Sequence, residues 1–273
     1  MSAITLPSLT DALLTLEAGV ATLTFNRDDV RNELTGSALV DDIETVVGWV
    51  NRESAVSALI ITGAGAAFSA GGNVKHMLNR DGAFAGDAYT VHNRYRQGIQ
   101  RMSLALNKVE VPLLAAVNGP AIGAGCDLAC MCDIRLGSTA AKFGETFVNL
   151  GIIPGDGGAY FLQRIVGFQR AAEMTFSGRI VGAEEAKNIG LLLEVVGPEE
   201  LLPRTQALAA SFAAKPPQAL RLAKRLMKAA QRMELPDFLD MCAIYQGVCH
   251  NTADHLEAVG AFLEKRPPNF TGN

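Results

Sequence analysis

The stretch VPLLAAVNGPAIGAGCDLACMCD, residues 111–133, decides the fold. Val111 to Gly119 is short, apolar and ends at a turn signal, which predicts a buried strand. Cys126 to Met131 is too apolar for an exposed loop, so the simplest continuation is a helix. Between them Gly119, Gly123 and Gly125 alternate with Ala121 and Ala124, leaving the backbone nearly bare. The first turn of a helix carries N–H groups without partners, and small residues let a ligand oxygen approach them. The segment therefore suits a developing anion. It equally suits a tight strand-to-helix turn with no ligand.

A second loop of the same kind, FSAGGN at 68–73, follows the apolar run SALIITG. If the two strands are neighbours, both loops open on one side of the sheet, and each offers one N–H to the same carbonyl oxygen. The GAGAAF segment at 63–68 fails the dinucleotide pattern at its last glycine, and nothing fits a P-loop.

Working outward, LLTLEAGVATLTFN alternates apolar and polar residues about Ala18-Gly19, as a β-hairpin does. Leu39, Ile43, Val46, Val47 and Val50 share one helical face. A polar stretch from Asn79 to Gln100 leads to a helix ending near Val109, and DIRLG adds a short strand. Beyond Gly158 the pattern is mainly helical, and the last segment places Leu256, Val259 and Phe262 on one face before Pro267-Pro268 stops it. This predicts an α/β core over residues 1–200 and a C-terminal helical subdomain over 201–273.

The chain has 273 residues, 49% hydrophobic and 19% charged, which places it among ordinary soluble globular proteins. A net charge of −4 without a Lys/Arg run argues against nucleic acid as partner. No apolar run approaches a membrane span, and the N-terminal stretch has neither the basic start nor the apolar core of a signal. The five cysteines read as small buried hydrophobes in a reducing compartment, so the expected location is cytoplasmic. They lack paired zinc spacing, and no metal is expected.

Six segments together resemble the crotonase, or enoyl-CoA hydratase/isomerase, family: NRDDVRNELT, ALIITGAGAAFSAGGNVK, PLLAAVNGPAIGAGCDLACMCDIRLGS, KFGETFVNLGIIPGDGG, FSGRIVGAEEAKNIGLLLEVV and AFLEKRPPNF. They run in family order from about residue 13 to 270. The resemblance implies the crotonase-like spiral fold, homotrimers or hexamers built by C-terminal helices, and acyl-CoA chemistry of fatty-acid metabolism without a further cofactor. It implies an enolate at the thioester carbonyl, held by the N–H groups of Gly72 and Ala124. CoA contacts are implied at Val30, Arg31, Ala70, Gly72 and Lys75, at Phe147, and at Phe262 and Lys265 of the last helix.

Hydratases of the family use two glutamates. Asp127 stands at the first position and is expected to face the acyl pocket; Phe147 stands at the second and cannot accept a proton. Glu145 would share a face with Phe147 if that segment is extended. Asp156 falls where isomerases of the family often place their acid, one position later; it also suits a helix cap. Catalytic candidates are thus Gly72, Ala124, Asp127, Glu145 and Asp156. Hydration is the family's default reaction. A one-acid isomerisation is its rival, and a non-catalytic acyl-CoA-binding member is a third reading.

Overall fold

The computed structural model describes residues 4–273. The N-terminal stretch read for targeting signals begins outside that range. A hairpin opens the fold: β1 (Ala12–Glu17) and β2 (Val20–Phe25) meet through Ala18 and Gly19, at φ of 47° and 79°. Positive φ at both central residues gives a turn whose twist matches the strands. Helix α1 (Leu39–Arg52) follows, with its predicted apolar face buried. Asp42, on the same helix, accepts from the N–H groups of Thr10 and Asp11 at 2.9 and 2.7 Å and ties down the entering chain.

Then come β3 (Ala58–Gly63), α2 (Val74–Asn79), α3 (Ala88–Gln97), α4 (Ile99–Asn107), β4 (Leu113–Val117), β5 (Pro120–Ile122), α5 (Ala124–Met131), β6 (Ile134–Ser138) and β7 (Lys142–Gly144). The second half holds α6 (Gly158–Val166), α7 (Phe168–Ser177), β8 (Ile180–Gly182), α8 (Ala183–Asn188), β9 (Glu194–Val196), α9 (Pro198–Ala213), α10 (Pro217–Ala229), α11 (Leu235–His250) and α12 (Ala253–Glu264).

The main sheet runs β1-β2-β3-β4-β6-β9, antiparallel only at the β1 edge. A small sheet, β5-β7-β8, stands beside it. Strands β3 and β4 are buried on both faces, which explains their unbroken apolar runs. Leu59, Ile61, Leu113 and Ala115 face the large core with α1 and α4, whereas Ala58, Ile60, Leu114 and Ala116 face Leu201 and Ala209 of α9. Helix α9 thus closes the second face of the sheet, although nearly all of it lies beyond the expected boundary at residue 200.

Other differences have physical reasons. The polar stretch carries α3, which buries no residue and so shows no apolar stripe. Strands β5, β7, β8 and β9 have three residues each, too few for alternation to register. Helix α10 is fastened by polar contacts rather than by an apolar seam. Arg221 donates to the carbonyls of Val50, Glu53 and Val56, and Lys224 Nζ to that of Val111 at 2.6 Å. No residue of α11 is buried, and Leu256, Val259 and Phe262 of α12 are exposed.

Candidate active site

Three loop segments are stitched side by side. The Leu34 N–H donates to Gly71 O at 2.7 Å and the Ala70 N–H to Arg31 O at 2.9 Å. The N–H groups of Phe68 and Ser69 donate to Pro120 O, and that of Ile122 returns to Ser69 O at 3.0 Å. Because β3 and β4 are parallel neighbours, the two glycine loops leave the sheet on one side. Bare backbone is required here. A Cβ on Gly125 would collide with the Ser69 carbonyl, and one on Gly71 would strike Ile122 O. Gly123, at φ 53° and ψ −121°, turns the chain into α5, so Ala124 opens that helix.

Among the described residues neither the Gly72 nor the Ala124 N–H donates to a protein acceptor. Both residues line one cavity of about 190 Å³. Its apolar wall comes from Leu34, Val40, Met77, Phe84, Tyr95, Ile99, Phe147 and Ile152. Sequence reasoning missed all of these but Phe147. They arrive from four separate stretches, 34–40, 77–84, 95–99 and 147–152, and have no common spacing to read.

Two carboxyls line the cavity. Asp41 is paired with Arg101 at 2.9 Å and is open to solvent. Asp156 is 5% exposed, and among the described residues its carboxyl accepts no hydrogen bond. Burial, with Glu145 adding to it, pushes this carboxyl up to about 7. Asp156 is not the cap of α6, since Gly157 holds that position. Its carbonyl accepts from Ser103 Oγ, and burial, with the Asp156 charge adding to it, raises the neighbouring Tyr95 hydroxyl.

Asp127 does not line the cavity, contrary to the expectation. Its side chain is fully buried and Oδ2 accepts from the Gly158 N–H at 3.0 Å. Helix α5 is buried all round, so sequence gives no sign of which way any of its side chains points. Glu145 does not share a face with Phe147 either. A 3₁₀ turn begins at Thr146, so the segment is not extended; Phe147 reaches the cavity while Glu145 turns inward to Asp127. Burial raises both carboxyls; the Glu145 charge pushes Asp127 further up, whereas the contacts with Asp127 and the Cys126 thiol pull Glu145 part of the way back down.

Val30 and Ala70 lie partly exposed and Arg31 and Lys75 exposed around the loops that carry Gly72. Asn73 caps α2: its Oδ1 accepts from the N–H groups of Lys75 and His76, and its Nδ2 donates to Glu33 at 3.0 Å. Phe262 is 82% exposed on α12, and neither it nor Lys265 lines the cavity of its own chain. The described residues hold no cluster of three metal-ligating side chains, and no helix among them is long and apolar enough to cross a membrane.

The family model for enoyl-CoA hydratase/isomerase matches residues 15–273. A crotonyl-CoA hydratase of Syntrophomonas wolfei is 37% identical over 94% of this chain and 96% of its own. A 1,2-epoxyphenylacetyl-CoA isomerase of Escherichia coli is 34% identical over 94% and 97%. The crystal structure of an enoyl-CoA hydratase from Bacillus anthracis superposes with a TM-score of 0.89 at 31% identity, covering 97% of this chain and all of that one. With two free N–H groups at one cavity, an acid beside them and agreement along nearly the whole chain, the protein belongs to the enoyl-CoA hydratase/isomerase family, the crotonases.

Proposed function

We propose that the chain isomerises the double bond of a short enoyl-CoA thioester, with Asp156 as its proton-transfer group. The observation that carries this reading is the single unpaired carboxyl beside the Gly72 and Ala124 N–H groups, titrating near neutrality. A general base works best when its pKa lies near the operating pH. In a 3-enoyl-CoA, the Asp156 carboxylate removes a proton from the α carbon. The electron pair moves onto the thioester oxygen, which the two N–H groups hold as a dienolate. The α–β double bond forms as Asp156 returns its proton to the γ carbon and the electrons leave the oxygen. One acid suffices, and no water enters.

Hydration needs a second group to hold and deprotonate water, and Phe147, which the family resemblance sets at the second glutamate's position, lines the cavity wall without a group that could do so. The cavity is smaller than the roughly 300 Å³ at which drug-sized pockets begin, which favours a short acyl chain. Val30, Arg31, Ala70 and Lys75 would hold the CoA part. Phe262 and Lys265 would reach it only across a subunit boundary, in a homotrimer or a dimer of trimers.

The test offers the protein a 3-enoyl-CoA and crotonyl-CoA in parallel. Isomerisation faster than hydration is expected. Hydration at ordinary enzyme rates with no isomerisation would overturn the reading, and tight binding of both without turnover would assign the chain to acyl-CoA binding.

A further inference from the structure

Asp127 and Glu145 are an anomaly. Both are fully buried, yet Asp127 Oδ1 and both Glu145 oxygens lack a partner among the described residues. No cationic side chain among those residues pairs with either. Two bare carboxylates in contact inside a protein would be costly on both counts, desolvation and repulsion. A single proton between them removes most of that cost, because it turns two orphaned acceptors into one carboxyl–carboxylate hydrogen bond. The two carboxyls converge on one point, since Asp127 Oδ1 and Glu145 Oε2 would both lie within 2.8 Å of the same Cβ built on residue 158.

The surroundings indicate what the pair does. Among the described residues its backbone donor is the Gly158 N–H, 3.0 Å from Asp127 Oδ2, at the first residue of α6. Residue 158 has to be glycine: a Cβ there would collide with Asp127 Oδ1 and lie 2.8 Å from Glu145 Oε2. The start of a helix favours a negative charge. Asp156 sits two residues upstream, its carbonyl already held by Ser103 Oγ from α4. The other titratable groups facing the pair are the thiols of Cys126 and Cys130 on α5 and Asp156 itself, with Tyr95 of α3 beyond it.

We propose that Asp127 and Glu145 share one proton and act as positioning residues: the single charge left on the pair grips the Gly158 N–H and holds Asp156 at the cavity wall. This rests on the reading of Asp156 as the proton-transfer group.

The test has one arm that needs no turnover. In protein labelled with carbon-13 at its carboxyl groups, the Asp127 and Glu145 resonances should together report one bound proton at neutral pH. Two ionised carboxylates, or two neutral acids, would overturn the proposal. The second arm is the pH profile of 3-enoyl-CoA isomerisation. Asp127→Asn keeps an acceptor for Gly158 and one charge on Glu145, so turnover should fall less than about tenfold and the acid limb should stay in place. The double variant Asp127→Asn/Glu145→Gln removes the charge, and the limb should move down by about one pH unit. A purely structural pair would alter stability and leave the limb unmoved, which would also overturn the proposal. Turnover that survives Asp156→Asn would sink the reading beneath it instead, while the resonances answer for the pair alone.

Discussion

Asp156 combines burial with a vacant hydrogen-bonding role, and both have measurable consequences. Its carboxyl titrates near 4 in an unfolded chain and at about 7 in the fold. Between those values the native state binds more protons than the unfolded state, so stability falls as pH rises and the loss is complete above about 7. Asp156→Asn removes that loss. Urea unfolding should show the variant level with the parent near pH 4 and more stable by up to about 4 kcal/mol above pH 7; a gap that ignores pH would contradict the assignment. Phe147 poses the complementary question. Phe147→Glu supplies a second carboxyl at the cavity wall. A well-placed acid or base contributes about 10²–10⁴-fold, and misplacement by about 1 Å forfeits about 10²-fold. Crotonyl-CoA hydration should therefore rise by about tenfold, read as loss of the enoyl absorbance. No gain would mean that position 147 does not limit hydration.

At the scale of elements, the site depends on how closely α5 approaches the loop after β3. Gly125→Ala pushes a methyl group into the Ser69 carbonyl and must separate the two loops. Losing one donor of such a pair costs about 10²–10³-fold in rate. Turnover of the variant should fall by that order while circular dichroism still shows a folded protein; unchanged turnover would remove Ala124 from the mechanism. The elements that build this contact were legible in sequence because β3 and β4 are unbroken apolar runs ending in glycine loops. The hairpin and α1 were legible from their periods. The short strands and the polar helix α3 were not, since neither carries a stripe. The same logic governs the site. That Gly72 and Ala124 would meet was legible from glycine patterning, and Asp156 came into view through family resemblance; the three line one cavity. The inward turn of Asp127 and Glu145 was not, because it follows from the rotation of a fully buried helix and from a 3₁₀ turn.

For the whole molecule, the C-terminal helices raise the question of assembly. Leu235, Leu239, Ile244 and Val248 of α11 and Leu256 and Phe262 of α12 are exposed in the single chain. Large apolar side chains left exposed in such number on two successive helices point to an interaction face, and a trimer or hexamer mass by light scattering at micromolar concentration is expected. A monomer would contradict it and would rule out the proposed contact of Phe262 and Lys265 with CoA. The most direct test of the central claim is the rate of 3-enoyl-CoA isomerisation by the assembled protein and by its Asp156→Asn variant, with thioester binding measured beside it. The expected result is unchanged binding with turnover lowered by about 10²–10⁴-fold. Turnover that survives the substitution would place the proton-transfer group elsewhere and contradict the account.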